Sequence, residues 1–211
     1  MKRRILLSLS GVVLCAVSVG IFKFAALGVD PFTSLTSGLD TVIPLSYGTV
    51  YLLLNLALLG FSLVTDRSSI GPATFMNLFL LGYLVEFTSR VLAAVFPDPT
   101  LGLRIAALLT GVVLVSLSLS MYITADLGVS AYDVVAIAMN RRWKIASFGR
   151  CRVLTDMVCV GAGAALFVLG GGSLREIPAI VGVGTVLTAF CMGPMIEYFN
   201  RRISRPLLKR A

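Results

Sequence analysis

The sequence predicts an all-α, polytopic membrane protein: six transmembrane helices in a 3+3 inverted-topology repeat, with a short amphipathic or re-entrant helix in each half. Three observations carry this reading. Of the 211 residues 57% are hydrophobic and only 13% charged, whereas water-soluble domains carry about a quarter charged residues. The apolar residues gather into long runs. A segment that follows the first run, Leu27-Gly28-Val29-Asp30-Pro31, returns a hundred residues later as Leu127-Gly128-Val129-Ser130-Ala131.

The runs cover residues 5–26, 46–64, 70–96, 103–124, 151–169 and 177–199. A helix needs about 20 apolar residues to cross a hydrocarbon core roughly 30 Å thick, so each qualifies as a span. The chain reads as one membrane domain, 1–211, with repeat 1 at about 5–96, repeat 2 at about 103–200 and a basic tail at 201–211. Mean hydropathy is +0.95, which excludes a soluble globule. The net charge of +8 is not a nucleic-acid footprint, because the cations sort by side. Threading the runs in order puts the amino terminus, Arg67, the 141–152 loop and the tail on one side. Arg90, Arg104 and Arg175 fall on the other, and Lys23 sits inside the first run. The excess of cations on cytoplasmic loops then places both termini in the cytoplasm, where acidic headgroups of the bilayer are the expected contact. The first run lacks a small-x-small cleavage pattern and reads as a retained helix. Cys15, Cys151, Cys159 and Cys191 lie in or beside spans, there is no histidine, and no metal or cofactor site is expected; the thiols read as packing groups.

The two halves match beyond the opening motif. Ser46, Tyr47 and Gly48 correspond to Ser147, Phe148 and Gly149, which sets Asn55 opposite Asp156. Ile70, Gly71 and Thr74 correspond to Val181, Gly182 and Thr185. The match then continues without a gap through Phe79 with Phe190, Gly82 with Gly193, Glu86 with Glu197 and Arg90 with Arg201. Three spans per half is an odd number, so the second half enters from the opposite side. Inverted copies of this kind are a recurring plan of secondary transporters.

Each copy interrupts its helix after a glycine, Gly28 or Gly128, the expected hinge. Asp30 followed by Pro31 is a helix start, with a side-chain acceptor at the cap and a residue with no amide hydrogen behind it. Ser130 with Asp133 makes a second start of the capping-box kind. Phe32, Leu35, Leu39 and Val42 then form one apolar face, and Tyr132, Val135, Met139 and Trp143 form the other. Such helices either lie flat at the interface, with Trp143 and Tyr132 as anchors, or fold back and aim their positive ends at a ligand.

An ionisable group inside a span costs about 2.5–3.5 kcal/mol on insertion scales and needs a partner or a task. Asp156 is the leading candidate, a carboxylate near the midplane able to bind a cation or carry a proton, with Asn55 as its neutral counterpart. The alternative is an interhelical hydrogen bond. Glu86 with Arg90 and Glu197 with Arg201 read as i, i+4 pairs near helix ends. Lys23 either snorkels to the surface or pairs with Asp30. Thr74 and Thr185 either bond back to their own helix or line a site, and several glycines, Gly71, Gly82, Gly182 and Gly184 among them, suit close helix packing.

The Leu-Gly-Val segment at 27–29 and 127–129, the Ser-aromatic-Gly at 46–48 and 147–149, and the Gly-x-x-Thr at 71–74 and 182–185 resemble the YczE/YitT group of bacterial inner-membrane proteins over roughly residues 5–200. The resemblance implies a six-span protein of the bacterial plasma membrane and implies no particular activity. It also implies an aromatic residue followed by aspartate in the second copy, here Tyr132-Asp133. The first copy has Phe32-Thr33, so an acidic role at this place belongs to one half only.

The expected function is a small transporter or permease, with a substrate or ion site between the halves at Asn55, Asp156, Thr74, Thr185, Asp30 and Asp133, and possible homodimerisation. The alternative is a scaffold or regulatory subunit that holds a cytoplasmic partner through the basic 141–152 loop and the C-terminal tail. An enzyme is not expected: with no Ser–His or Cys–His arrangement, only carboxylate chemistry would remain.

Overall fold

The computed structural model is helical throughout. It describes residues 2–65, 67, 70–128, 130–146 and 148–209, with no strand among them. Val129 and Ser147 of the segments matched above and Arg210 of the tail lie outside the described residues, as do the side chains of Lys2, Phe148, Phe190 and Lys209. The first half comprises α1 (Lys2–Ala25), α2 (Pro31–Val42), α3 (Tyr47–Thr65) and α4 (Pro72–Met76), which runs through a π-helical turn at Asn77–Leu81 into α5 (Gly82–Val95). The second comprises α6 (Leu101–Ala125), α7 (Ala131–Arg141), α8 (Phe148–Leu169), the short α9 (Ile177–Ile180) and α10 (Val183–Phe199). A second π-helical turn, Asn200–Ser204, leads into α11 (Arg205–Lys209). Among the described residues five helices are long and apolar enough to cross a membrane: Arg3–Ala25, Tyr47–Thr65, Pro72–Val95, Leu101–Ala125 and Arg150–Leu169.

The run at 177–199 is not one helix. It breaks between α9 and α10, where Gly182 is extended (φ −146°) and its N–H is held by the Thr185 hydroxyl at 3.2 Å. The basic tail is not free either. Asn200 and Ser204 turn back to α6, where Thr124 donates to Asn200 Oδ1 at 2.6 Å and the Ser120 and Ser204 hydroxyls meet at 2.7 Å.

α1 and α6 form the central pair, with α5 beside α1 and α10 beside α6. Gly11 of α1 meets the Ser118 carbonyl and Gly111 of α6 meets the Phe22 ring, and the small residues Ser8, Ala16 and Ser18 of α1 and Ser116, Ser118 and Ser120 of α6 are all fully buried. Small side chains let backbones approach where lipid provides no hydrophobic drive between helices. The Ser18 and Ser116 hydroxyls are satisfied by the carbonyls one turn back, Leu14 at 2.6 Å and Val112 at 2.7 Å, so burying them leaves no orphan donor.

The two short helices lie inside the bundle, not on its rim. α2 packs on α8, and α7 packs on α3 as well as α8. The expected stripe of α2 is only partly the buried one. Phe32 is buried, but Val42 is exposed and Leu35 and Leu39 are partly so, while Thr33, Ser34, Thr36, Ser37 and Gly38 are all buried. The reason is its neighbour: Gly38 meets the backbone of Gly163, and a polar, small face reaches a glycine stripe more closely than an apolar one. In α7, Tyr132, Val134, Ala136 and Ala138 are buried, and Trp143 is half exposed with its ring against Phe61.

Both short helices are launched by the same turn. Ala26 and Asp126 each take φ 51°, then Gly28 takes φ 102° and Gly128 φ 107°. A Cβ on Gly28 would lie 2.6 Å from the Gly182 nitrogen, and one on Gly128 would lie 2.5 Å from the Gly71 nitrogen. The preceding carbonyls cap the facing helices: Leu27 accepts from Gly184 N–H at 2.7 Å and Leu127 from Ala73 N–H at 3.1 Å. Gly28→Ala combines left-handed backbone strain with a backbone clash, and is expected to cost more than about 2 kcal/mol. In a chain of this size that lowers the thermal unfolding midpoint by about 5 °C or more. Gly60→Ala, at a glycine whose Cβ would meet nothing within 4 Å, should leave the midpoint in detergent unchanged or slightly raised.

Candidate functional site

Asp156 is not a lone carboxylate. α8 places Arg152 one turn before it, and their i, i+4 spacing puts both on the face that meets the first turn of α7. Arg152 Nε lies 3.1 Å from Asp156 Oδ1, and its Nη1 is paired with Asp133 Oδ1. The Tyr132 hydroxyl donates to Asp156 Oδ1 at 2.5 Å, and the guanidinium lies 4.6 Å from the Tyr132 ring centroid. Asp133 in turn is fixed by the helix start, where Ser130 Oγ donates to its Oδ2 at 2.7 Å and accepts from its N–H at 3.2 Å. Two carboxylates therefore share one guanidinium, with about a quarter of each side chain exposed.

Across the bundle, α2 presents the equivalent turn. Asp30 caps it by accepting from Thr33 N–H at 3.1 Å through Oδ1. Its Oδ2 is buried with no hydrogen-bond partner, and the residue is within electrostatic range of Arg152 and Asp156. Phe32 stacks on Tyr132 with ring centroids 4.8 Å apart, and Tyr51 meets Phe32 edge-on at 5.7 Å. The stack joins the two rings that the repeat alignment equates. By the same alignment Thr33 matches Asp133, Tyr51 matches Arg152 and Asn55 matches Asp156. One half thus carries a neutral set and the other a charged set at corresponding positions.

The remaining expected residues take other places. Asn55 is buried and donates to the Tyr51 carbonyl of its own helix at 2.9 Å. Thr185 donates to the Val29 carbonyl at 2.8 Å, and Thr74 accepts from Gly71 N–H at 3.1 Å; both fasten the broken-helix turns. Lys23 does not turn to Asp30: its Nζ lies 3.4 Å from the centroid of the Tyr47 ring. Glu86–Arg90 at 2.5 Å and Glu197–Arg201 at 2.6 Å form the expected i, i+4 pairs. Glu86 also accepts from Gly48 N–H at 3.0 Å, tying α5 to the start of α3. Arg152 and Tyr132 are the site residues that sequence reasoning missed, one counted with the basic loop and the other with the interfacial anchors. The Arg152–Asp156 spacing was the available signal.

A bundle with five membrane-length helices and a charged cluster between them defines a multi-pass integral membrane protein. The chain belongs to DUF6198, a family of unknown function, whose profile matches residues 2–201. It is similar to an uncharacterized protein of Haemophilus influenzae, 24% identical over 188 residues that cover 88% of this chain and 78% of that one. It is also similar to the uncharacterized membrane protein YczE of Bacillus subtilis, 22% identical over 192 residues that cover 90% and 81%. The YczE-type resemblance carried by the glycine motifs is thereby borne out. No solved structure matches the chain.

Removing one partner of a buried ion pair costs about 3–5 kcal/mol, because the other charge is stranded, while a lost neutral donor costs about 1–2 kcal/mol. Arg152→Met should therefore destabilise the protein clearly more than Tyr132→Phe in thermal unfolding. Adding Asp133→Asn to Arg152→Met should restore part of the loss; equal effects from Arg152→Met and Tyr132→Phe would refute the shared-guanidinium arrangement.

Proposed function

We propose that the protein is a small permease of the bacterial plasma membrane, with both termini cytoplasmic, whose site for a cation or a proton lies between two inverted three-span halves. The observation that carries this reading is the charge balance at the meeting point of the halves. Asp133 and Asp156 share one guanidinium, Arg152, so the ionised cluster is net negative within the bundle, with Asp30 within electrostatic range of it. A charge of that kind is expensive in a membrane and is usually tied to an ion pathway or proton relay. The inverted arrangement is supported by paired packing: α1 with α5 recurs as α6 with α10, and α2 with α8 recurs as α7 with α3. For the sixth span the candidate is α10, prolonged through Asn200–Ser204 into α11.

The scaffold alternative draws on the basic loop, but two of its charges are engaged. Arg152 serves the cluster, and Arg142 donates to the Val64 and Thr65 carbonyls at the end of α3. Only Arg141, Lys144 and Arg150 of that loop stand exposed without such ties.

Purified protein in proteoliposomes, mounted on a solid-supported membrane and challenged with steps of pH or of mono- and divalent cations, tests the reading. The wild type should give a charge-translocation current. Asp156→Asn and Asp133→Asn should each reduce it at least tenfold while inserting normally. A wild-type protein electrically silent to every step, or a current indifferent to both substitutions, would rule out a cation or proton site here.

A further inference from the structure

Threaded through the spans, only Lys23, Arg90, Arg104 and Arg175 escape the strongly basic side of the molecule. Three of these four converge on one place. The carboxyl-terminal end of α1, that of α5, the loop between α5 and α6, and the first turn of α6 border an open, shallow cavity of about 430 Å³ whose lining includes Lys23, Arg90 and Arg104.

The cations are not there to satisfy nearby acids. Glu86 is already neutralised by Arg90 Nη2 at 2.5 Å and by Gly48 N–H at 3.0 Å. Asp40 acts on Lys23 and Arg90 only at electrostatic range. Among the described residues, neither Lys23 nor Arg104 has a carboxylate within the 4.0 Å of an ion pair, and Lys23 Nζ rests over the Tyr47 ring. Arg104 is oriented by its own loop, donating Nε to the Pro99 carbonyl at 3.3 Å, which leaves its terminal nitrogens for another acceptor. Asp98, which neighbours Pro99, is exposed and does not line the cavity. The lining also includes the aromatic pair Phe24 and Phe96, whose ring centroids lie 6.1 Å apart.

We infer that this cavity is an anion site, separate from the carboxylate cluster, for a phosphate group that carries net negative charge, with the rings beside it suited to an apolar body where the phosphate belongs to a lipid. Arginine and lysine brought together from three chain segments match the several acceptor oxygens of a phosphate, with Arg104 able to bind in bidentate fashion. The phosphate comes either from a membrane phospholipid or from a soluble phosphorylated compound.

The test uses the full chain in neutral detergent, with thermal unfolding read in three additions: phosphatidylglycerol, phosphatidylcholine and soluble glycerol 1-phosphate. Phosphatidylglycerol or glycerol 1-phosphate, at about tenfold over its dissociation constant, should raise the midpoint by roughly 3–6 °C, and phosphatidylcholine should not. A rise with phosphatidylglycerol alone assigns the phosphate to lipid, and a rise with glycerol 1-phosphate assigns it to a soluble compound. Arg104→Gln should at least halve the rise and the double substitution Lys23→Gln/Arg104→Gln should abolish it, while Arg175→Gln should preserve it. If the double variant does not fold, Arg104→Gln alone should retain at least fivefold less phosphatidylglycerol in native mass spectrometry. The inference is overturned if neither anion exceeds phosphatidylcholine, if the response survives the substitutions, or if Arg175→Gln removes it as well.

Discussion

The fold depends on two backbone-to-backbone contacts in which a left-handed glycine of one half touches a glycine of the other. Gly28 lies against Gly182 and Gly128 against Gly71. A helix start leaves its first N–H groups without partners, and in lipid those groups have no water to turn to. Here the missing partners come from the facing half, with Leu27 serving Gly184 and Leu127 serving Ala73. A side chain at either glycine would hold the strands of backbone apart and strand those donors. One constraint thus ends α1 and α6, opens α4 and α10, and aims α2 and α7 into the bundle.

The reciprocal docking is near-symmetric, yet the side chains that follow it are not. Immediately after the glycine turns, Phe32, Thr33, Tyr51 and Asn55 meet Tyr132, Asp133, Arg152 and Asp156, position for position. The Phe32–Tyr132 stack sits where the two sets touch. Aromatic and amide groups in one half satisfy themselves locally, as Asn55 does on the Tyr51 carbonyl. The other half gathers two carboxylates, one guanidinium and a phenol into a single network. Buried ion pairs seldom improve on well-packed apolar residues for stability, so stability alone is a weak reason for the charged set.

Much of this was legible in the residues. The helix starts at Asp30-Pro31 and Ser130, the glycine breaks and the Glu86–Arg90 and Glu197–Arg201 pairs follow from local rules of capping, left-handed backbone and helical spacing, and all are present. The partners of Asp156 were not read, although Arg152 lies within one turn of it, because Arg152 sits at the edge of a basic loop and sorts with the loop by charge. The buried face of α2 could not be read from its apolar stripe, because Gly163 on α8 offers space that small, polar residues of α2 fill. The break at Gly182 was hidden because Val181, Gly182 and Val183 are all tolerated inside a span. Only the long-range contact with Gly28 makes that place a helix start.

The position of the cluster relative to the glycine contacts gives the architecture its mechanical meaning. Asp30 and Ser130 are each two residues beyond the glycine turn, and Tyr132 and Asp133 follow within the same helical turn of α7. Any tilt of one half against the other must either pivot at Gly28–Gly182 and Gly128–Gly71 or break the hydrogen bonds that close them. Pivoting there carries the first turn of α2 with the first half and that of α7 with the second, where Arg152 and Asp156 of α8 also lie. The Tyr132–Asp156 hydrogen bond and the Arg152–Asp133 pair both bridge α7 to α8. Both lie within the second half, so a tilt between the halves is carried instead by the Phe32–Tyr132 stack and by the packing of α2 on α8 and of α7 on α3.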